Sequence, residues 1–413
     1  MSKITDLLEK AVPIDALSPL ASFAKAVCAA SDRLSKDSTL GLSSGEILAA
    51  GFDLGVSAAY AQLIGNNGWV FCRHKRGKKV PKLFYPFVNS CPRCMINGSF
   101  VFIPSKKPES GKIGKVTSAL LGAIYNEIVM ARSKGKCSIS LIGGSEDVDA
   151  ILHEDEKVCF LEIKAAPLVT FPFVVDSDDL TESHGDEVGP APDHKEVVFP
   201  EMSAIKISIY IPNGDFAIPI GVRKEGMEWP YSILEKVVLD KDLFSKYLAA
   251  WKDVYDRYRC ALPKEGAFWL SNGCGQPTPR PKDWPARRYG SGYESISDYK
   301  SSVGMDRTDD IKKGIYQVLK LGTHYKEFSA DGDYDVKTAL ISNMHAIRHY
   351  DDYLHEFSDV IWSVDANDRP YIIRKDEEEW HIPVEGVHNL YDGLIAFTKN
   401  HIRDEWLASR LKI

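Results

Sequence analysis

The 413-residue chain has no hydrophobic run long and unbroken enough to span a bilayer. It lacks a basic N-terminal stretch followed by an apolar one, so no secretory leader is read. Cysteine is scarce: there are eight, of which Cys72, Cys91 and Cys94 fall in one neighbourhood. That distribution excludes a disulfide-stapled scaffold and fits a metal site in a reducing cytoplasm. There is no internal repeat. There is no positive balance either, since the net charge of −7 argues against diffuse affinity for nucleic acid. What is present is 44% hydrophobic residues, ample for a large core, and a length that predicts two or three domains.

The charges are unevenly spread. Arg73 to Lys115 holds eleven Lys or Arg and one acid, Glu109, while Asp176 to Glu196 holds eight acids and one lysine. The first stretch is an electrostatic footprint for phosphate. The second, with Gly and Pro, reads as a solvated insertion.

Periodicity predicts helices over residues 1 to about 65, with Ile4, Leu7, Leu8 and Val12 as a stripe and Ser43 to Glu46 as a capping box. Further helices are expected over Gly114–Ser133 (stopped by Gly135), Tyr231–Arg259, Asp306–Lys320, Val336–Phe357 and Leu390–Leu407. Strands are expected at Ser138–Ile142, Ile205–Ile211 and Val360–Ile373. The fold class is α/β, with a mixed central sheet flanked by helices, a helical N-terminal region and a small zinc-ribbon-like β element. The segments are 1–68, 69–110, 111–175 with about 200–330, and 331–413.

The most informative stretch runs from Asp147 to Ala166. Two apolar runs flank the polar residues His153 to Lys157, which is a hairpin pattern. Side chains alternate along a strand, so Glu162 and Lys164 point one way and Ile163 the other. Antiparallel pairing brings Asp149, at the start of the first strand, to Glu162, near the end of the second. Two carboxylates and an ammonium then meet at one end of the hairpin. Mg²⁺ takes one or two protein carboxylates and keeps several waters. Asp147 shares the face of Asp149, but the apolar run begins directly after Asp149, which favours the latter.

Asp149 followed by Glu162-Ile-Lys164 resembles the PD-(D/E)XK nuclease superfamily, known from type II restriction endonucleases. Val148 stands where the superfamily usually has proline. The similarity covers mainly residues 114–170. It implies a restriction-endonuclease-like core, Mg²⁺ held by Asp149 and Glu162, and Lys164 placing the attacking water. It also implies a helix glutamate before the first site strand, for which Glu127 is the candidate. Beyond the Glu-x-Lys strand it implies a helix with Gln or Lys near the site; Lys312, Lys313 and Gln317 are the matching residues.

Cys91 and Cys94 form a Cys-x-x-Cys knuckle, and Cys72 and His74 complete a tetrahedral Zn²⁺ set, with Cys28, Cys137 or another histidine as alternatives to His74. Arg73, Lys75, Arg76, Lys78 and Lys79 on this element are assigned to DNA phosphates. Arg280, Lys282, Arg287 and Arg288 lie in a turn-rich loop with aromatic residues. Arginine forks to guanine in the major groove, so Arg287 and Arg288 are assigned to base edges. The reading is a cytoplasmic prokaryotic homodimer that cuts a specific double-stranded DNA sequence. The alternatives are a non-sequence-specific nuclease with the same site, and a zinc-containing DNA-binding protein without hydrolysis.

Overall fold

A computed structural model describes residues 3–63, 70–73, 82–85, 110–143, 146–171, 173–176, 206–211, 213–222, 229–260, 303–329, 334–354, 371–373, 379–381 and 391–413. In chain order the elements begin α1 (Lys3–Lys10), β1 (Ala11–Pro13), α2 (Pro19–Leu34), α3 (Ser44–Leu63), β2 (Val70–Arg73), β3 (Lys82–Tyr85) and α4 (Ser110–Ser133). They continue with β4 (Ser138–Ile142), β5 (Ala150–Glu154), β6 (Lys157–Ile163), β7 (Phe173–Asp176), β8 (Lys206–Ile211), β9 (Phe216–Val222), α5 (Tyr231–Leu239) and α6 (Lys241–Arg259). The last are α7 (Thr308–Ser329), β10 (Asp335–Ser342), α8 (Tyr350–Tyr353), β11 (Tyr371–Ile373), β12 (Glu379–His381), β13 (Gly393–Ala396), β14 (Lys399–Ile402) and α9 (Glu405–Leu411).

The chain is α/β. Its main sheet has seven strands in the order β1-β4-β5-β6-β10-β13-β14. The first four strands are antiparallel neighbours; β10 runs parallel to both β6 and β13, and β14 closes the row antiparallel. The sheet is covered on both faces. Leu161, Ile163, Leu152, Ala339 and Ile341 pack into one core with α2, α3, α4 and α6. Phe160, Val158 and Ile151 pack on the other face with α1 and the end of α7, and Leu340 and Leu394 with the start of α7. Among the described residues, no helix is long and apolar enough to cross a membrane.

A second sheet, β2-β3-β7-β8-β9, is antiparallel throughout. The expected cysteine-bearing hairpin is its edge: β2 pairs with β3, and β3 pairs onward with β7. β2 and β3, which lie within residues 69–110, are thus strands of a larger sheet, and β10, β13 and β14 of residues 331–413 complete the main one.

Several local expectations meet the structure closely. Ser43 and Glu46 form the reciprocal cap, Ser43 N donating to Glu46 Oε2 at 2.8 Å and Glu46 N to Ser43 Oγ at 3.2 Å. Gly135 ends α4 with φ +80° and donates its N–H to Met130 O at 2.9 Å. Others are corrected. Val336 begins a strand, not a helix: Val336-Lys-Thr-Ala-Leu-Ile is short, rich in buried apolar residues and enclosed by parallel neighbours, the pattern a period count confuses with a buried helix. Residues 390–407 hold β13 and β14 and only the start of a helix. The long helix from Tyr231 is two, broken at Asp240, whose side chain caps the second through the N–H groups of Asp242 and Leu243 at 3.1 Å. Val12 lies on edge strand β1, 63% exposed, with Pro13 beside it where a missing N–H costs no ladder bond.

Candidate active site

The hairpin of β5 and β6 is tighter than its composition implies. Glu154 pairs with Lys157, leaving Asp155 and Glu156 as the turn, and Asp155 takes the left-handed conformation at φ +53°. Ala150 pairs with Leu161, so one step further along the register sets Asp149 against Glu162. Glu162 lies between Leu161 and Ile163, which enter the core with α2 to α4. It therefore points to the opposite face, with Phe160 and its parallel neighbour Leu340. Asp149, Glu162 and Lys164 share that face at one end of the sheet.

Asp149 Oδ2 accepts a hydrogen bond from Ile163 N at 2.8 Å. Its side chain takes up this backbone donor just before β5 begins. Glu162 is 5% exposed and accepts a hydrogen bond and ion pair from Lys164 Nζ. Burial pushes the Glu162 carboxyl up to about 7; Asp149 adds to the rise, and Lys164 opposes it. Two carboxylates meet one ammonium in a place with little water, which leaves negative charge unbalanced.

The chain leaving this strand is held from three sides. Lys164 N donates to Ile341 O at 3.1 Å, continuing the β6–β10 ladder. Ala166 forms a reciprocal pair with the Asn343 amide, its N–H donating to Oδ1 at 3.1 Å and its carbonyl accepting from Nδ2 at 2.8 Å. Leu168 N and Val169 N donate to the fully buried Asp53 carboxylate of α3 at 3.1 to 3.2 Å, and Trp251 Nε1 donates to the same group at 2.7 Å. Sequence reasoning passed over Asp53 and Asn343. For Asp53 a signal existed: it is the one charge between Ile47 and Ala61, inside a helix run that is otherwise apolar or small. Asn343 carries no such mark.

Helix α7 covers the site. A side-chain carbon at Gly314 would meet Leu340 at 3.0 Å and Lys164 Cγ at 3.1 Å, so the glycine permits the close approach. Gln317 Nε2 donates to Asp147 O at 3.0 Å, and Lys320 Nζ pairs with Asp147 Oδ2 at 2.9 Å. The hydrogen bond from Lys320 holds the Asp147 carboxyl below its ordinary value. This separates the two candidate aspartates. Asp147 is engaged by α7, while Asp149 faces Glu162.

Glu127 is not brought to this cluster. Asn126 beside it faces the sheet, its Oδ1 accepting from Ile139 N at 2.8 Å, and α4 packs on the face opposite Glu162. Glu127 is turned towards α2, where burial raises its carboxyl and Lys25 opposes the shift. Cys28 and Cys137 are buried thiols; burial pushes both well above the ordinary thiol value, and Cys28 Sγ donates to Ile124 O at 3.7 Å. Of the zinc set, Cys72 lies on β2 opposite Leu83, while His74, Cys91 and Cys94 lie outside the described residues. Arg73 pairs with Lys82 on the same hairpin. Lys75, Arg76, Lys78, Lys79, Arg280, Lys282, Arg287 and Arg288 also lie outside the described residues, as does the acidic stretch beyond Asp176. Among the described residues no three His, Cys, Asp or Glu side chains converge as a metal-holding group.

No family model, curated protein or solved structure matches this chain.

Proposed function

We propose that this chain is a Mg²⁺-dependent endodeoxyribonuclease, a type II restriction endonuclease that hydrolyses both strands of a specific duplex sequence as a homodimer. The observation that carries the reading is the meeting of Asp149, Glu162 and Lys164 on one face at the end of the sheet. The setting supports it. Helix α4, antiparallel strands β4 to β6, helix α7 and the parallel strand β10 follow in chain order, with β7 to α6 inserted before α7, and α7 sets Gln317 and Lys320 on Asp147 beside the site.

The donor set fits a divalent cation. Glu162 is pushed towards its neutral form first by burial and then by the second carboxylate, a conflict that a +2 charge relieves. Asp149 and Glu162 would hold the ion. Bound there, Mg²⁺ supplies Lewis-acid charge at the phosphate and lowers the pKa of a water. Lys164 would orient the attacking water or offset charge at phosphorus. The Asp53 and Asn343 bonds to residues 166–169 fix the exit of β6 and so the direction in which Lys164 leaves the sheet. The knuckle residues Cys72, His74, Cys91 and Cys94 would hold a structural Zn²⁺, so metal analysis of protein never exposed to chelator should give about one zinc per chain.

Plasmid incubated with the protein and Mg²⁺, with EDTA as control, tests the reading. Discrete fragments support a restriction enzyme. A smear moves the assignment to a non-specific nuclease, and intact plasmid to a DNA-binding protein without hydrolysis.

A further inference from the structure

The outer side of α7 is unlike the rest of this acidic chain. From Ile311 to Tyr325 it has three lysines, one histidine and no Asp or Glu. Of the acids at its start, Asp310 is paired with Arg307 at 2.8 Å. Residues three and four apart share a helix flank, so Lys313, Gln317, Lys320 and His324 lie in one row. Gln317 and Lys320 touch Asp147, two residues before Asp149, which places the whole row along the candidate site. Lys312, Lys313 and Lys320 are exposed. Between them stands Tyr316, 67% exposed, an aromatic ring that the core does not use. Lys312 Nζ lies 4.5 Å from the ring centre of Tyr353.

We infer that the outer face of α7 is the track on which the phosphate backbone of duplex DNA is laid beside the Asp149–Glu162 pair. The inference rests on the nuclease reading and gives it a contact surface among the described residues. Charge complementarity selects the occupant. Exposed Lys312 and Lys313, with Lys320 held by the half-exposed Asp147, give this face of a chain of net charge −7 a cationic surface that suits a polyanion. Lys313 is the principal contact. Gln317 and Tyr316 supply donors to phosphate or sugar oxygens. Lys320 is shared, because its pair with Asp147 is half exposed and a phosphate oxygen can take the place of the carboxylate.

The test is fluorescence anisotropy of the full chain with a labelled random-sequence 30-base-pair duplex, without added divalent metal, at several salt concentrations. Lys313→Glu should weaken binding about tenfold and flatten the slope of log affinity against log salt by roughly one unit. Tyr316→Ala should weaken it about threefold, the size of one lost neutral hydrogen bond to phosphate or sugar. Lys36→Glu, an exposed lysine past α2 on the other side of the sheet, is the control and should change affinity less than twofold. Thermal melts check folding, and Lys313→Gln replaces Lys313→Glu if the latter melts early. If wild type binds and the Lys313 and Tyr316 variants match the Lys36 control, the track is wrong while the nuclease reading stands. If wild type shows no salt-dependent affinity, the DNA reading fails, and this inference with it.

Discussion

Two buried carboxylates lie within one stretch of chain of each other, and they are satisfied in opposite ways. Asp53 receives two backbone N–H groups and the Trp251 indole N–H, all neutral donors aimed at an anion. Glu162 receives Lys164 but faces Asp149, and burial drives it towards its neutral form. The first environment stabilises a fixed negative charge and ties α3 and α6 to the strand exit. The second conflicts with the ionised charge, a conflict that the cation proposed for it would relieve. A buried acid whose acceptors are filled by neutral donors acts as a fastener; one pressed against another acid is held short of its ionised form.

The largest effect should appear where the comparison is broken at the site. Asp149→Ala, Glu162→Ala and Lys164→Ala should each lower plasmid cleavage by roughly 10³-fold or more, with DNA binding retained. The Asp149/Glu162 double variant should be little worse than either single one, because the groups act as a unit. Near-normal cleavage by Lys164→Ala would sink the assignment.

Breaking the other side should hurt folding instead. Asp53→Ala leaves buried donors without their acceptor and should cost about 3–5 kcal/mol in urea unfolding. A loss under about 1 kcal/mol would mean that the carboxylate is dispensable to the core.

Glu162→Gln sharpens the contrast because its sign is reversed. In the folded chain burial pushes the Glu162 carboxyl up to about 7, against 4.5 for an unperturbed Glu. The folded state therefore binds the extra proton between these values, and wild-type stability should fall as pH rises through that window. The Gln variant escapes that fall. It should match wild type near pH 4 and exceed it at pH 8 by on the order of 2 kcal/mol. Parallel urea-unfolding curves for both proteins from pH 4 to 8 would contradict the crowded-pair account.

The smallest effect is expected at Asp147. Its ion pair with Lys320 is half exposed, so Asp147→Asn should move the urea midpoint by no more than about 0.2 M.

How much of this was legible in the sequence follows from the range of each interaction. The Asp149, Glu162 and Lys164 cluster depends on strand alternation and one short turn, so a period-two reading finds it. The cap at Ser43, the stop at Gly135 and strand β4 are local in the same sense. Glu154 shows the limit. It reads as a turn acid, yet it is a buried strand residue because Trp406 Nε1 and Arg410 donate to its carboxylate at 2.6 to 3.0 Å. Nothing near Glu154 in the chain announces partners some 250 positions away. Strand β10 failed for a related reason. A short buried apolar run has no exposed face to set its period, and only its parallel neighbours decide its conformation. Glu127 is not brought to the cluster because α4 as a whole packs on the sheet face opposite Glu162, which sequence order alone does not reveal.

The pairing of β6 with β10 also has a kinetic consequence. Glu162 and Leu340 are joined side by side across 178 positions of chain, the difference of their numbers. The β5–β6 hairpin can form within microseconds once its residues are free, but the wall beside Glu162 cannot exist until Leu340 arrives. On a ribosome adding about 5–20 residues per second, that delay is roughly 10–35 seconds. During that interval the carboxylate pair stands beside an open strand edge, wet and without the burial that raises the Glu162 carboxyl. The electrostatics of the proposed centre are thus set by closure of the sheet, late in synthesis.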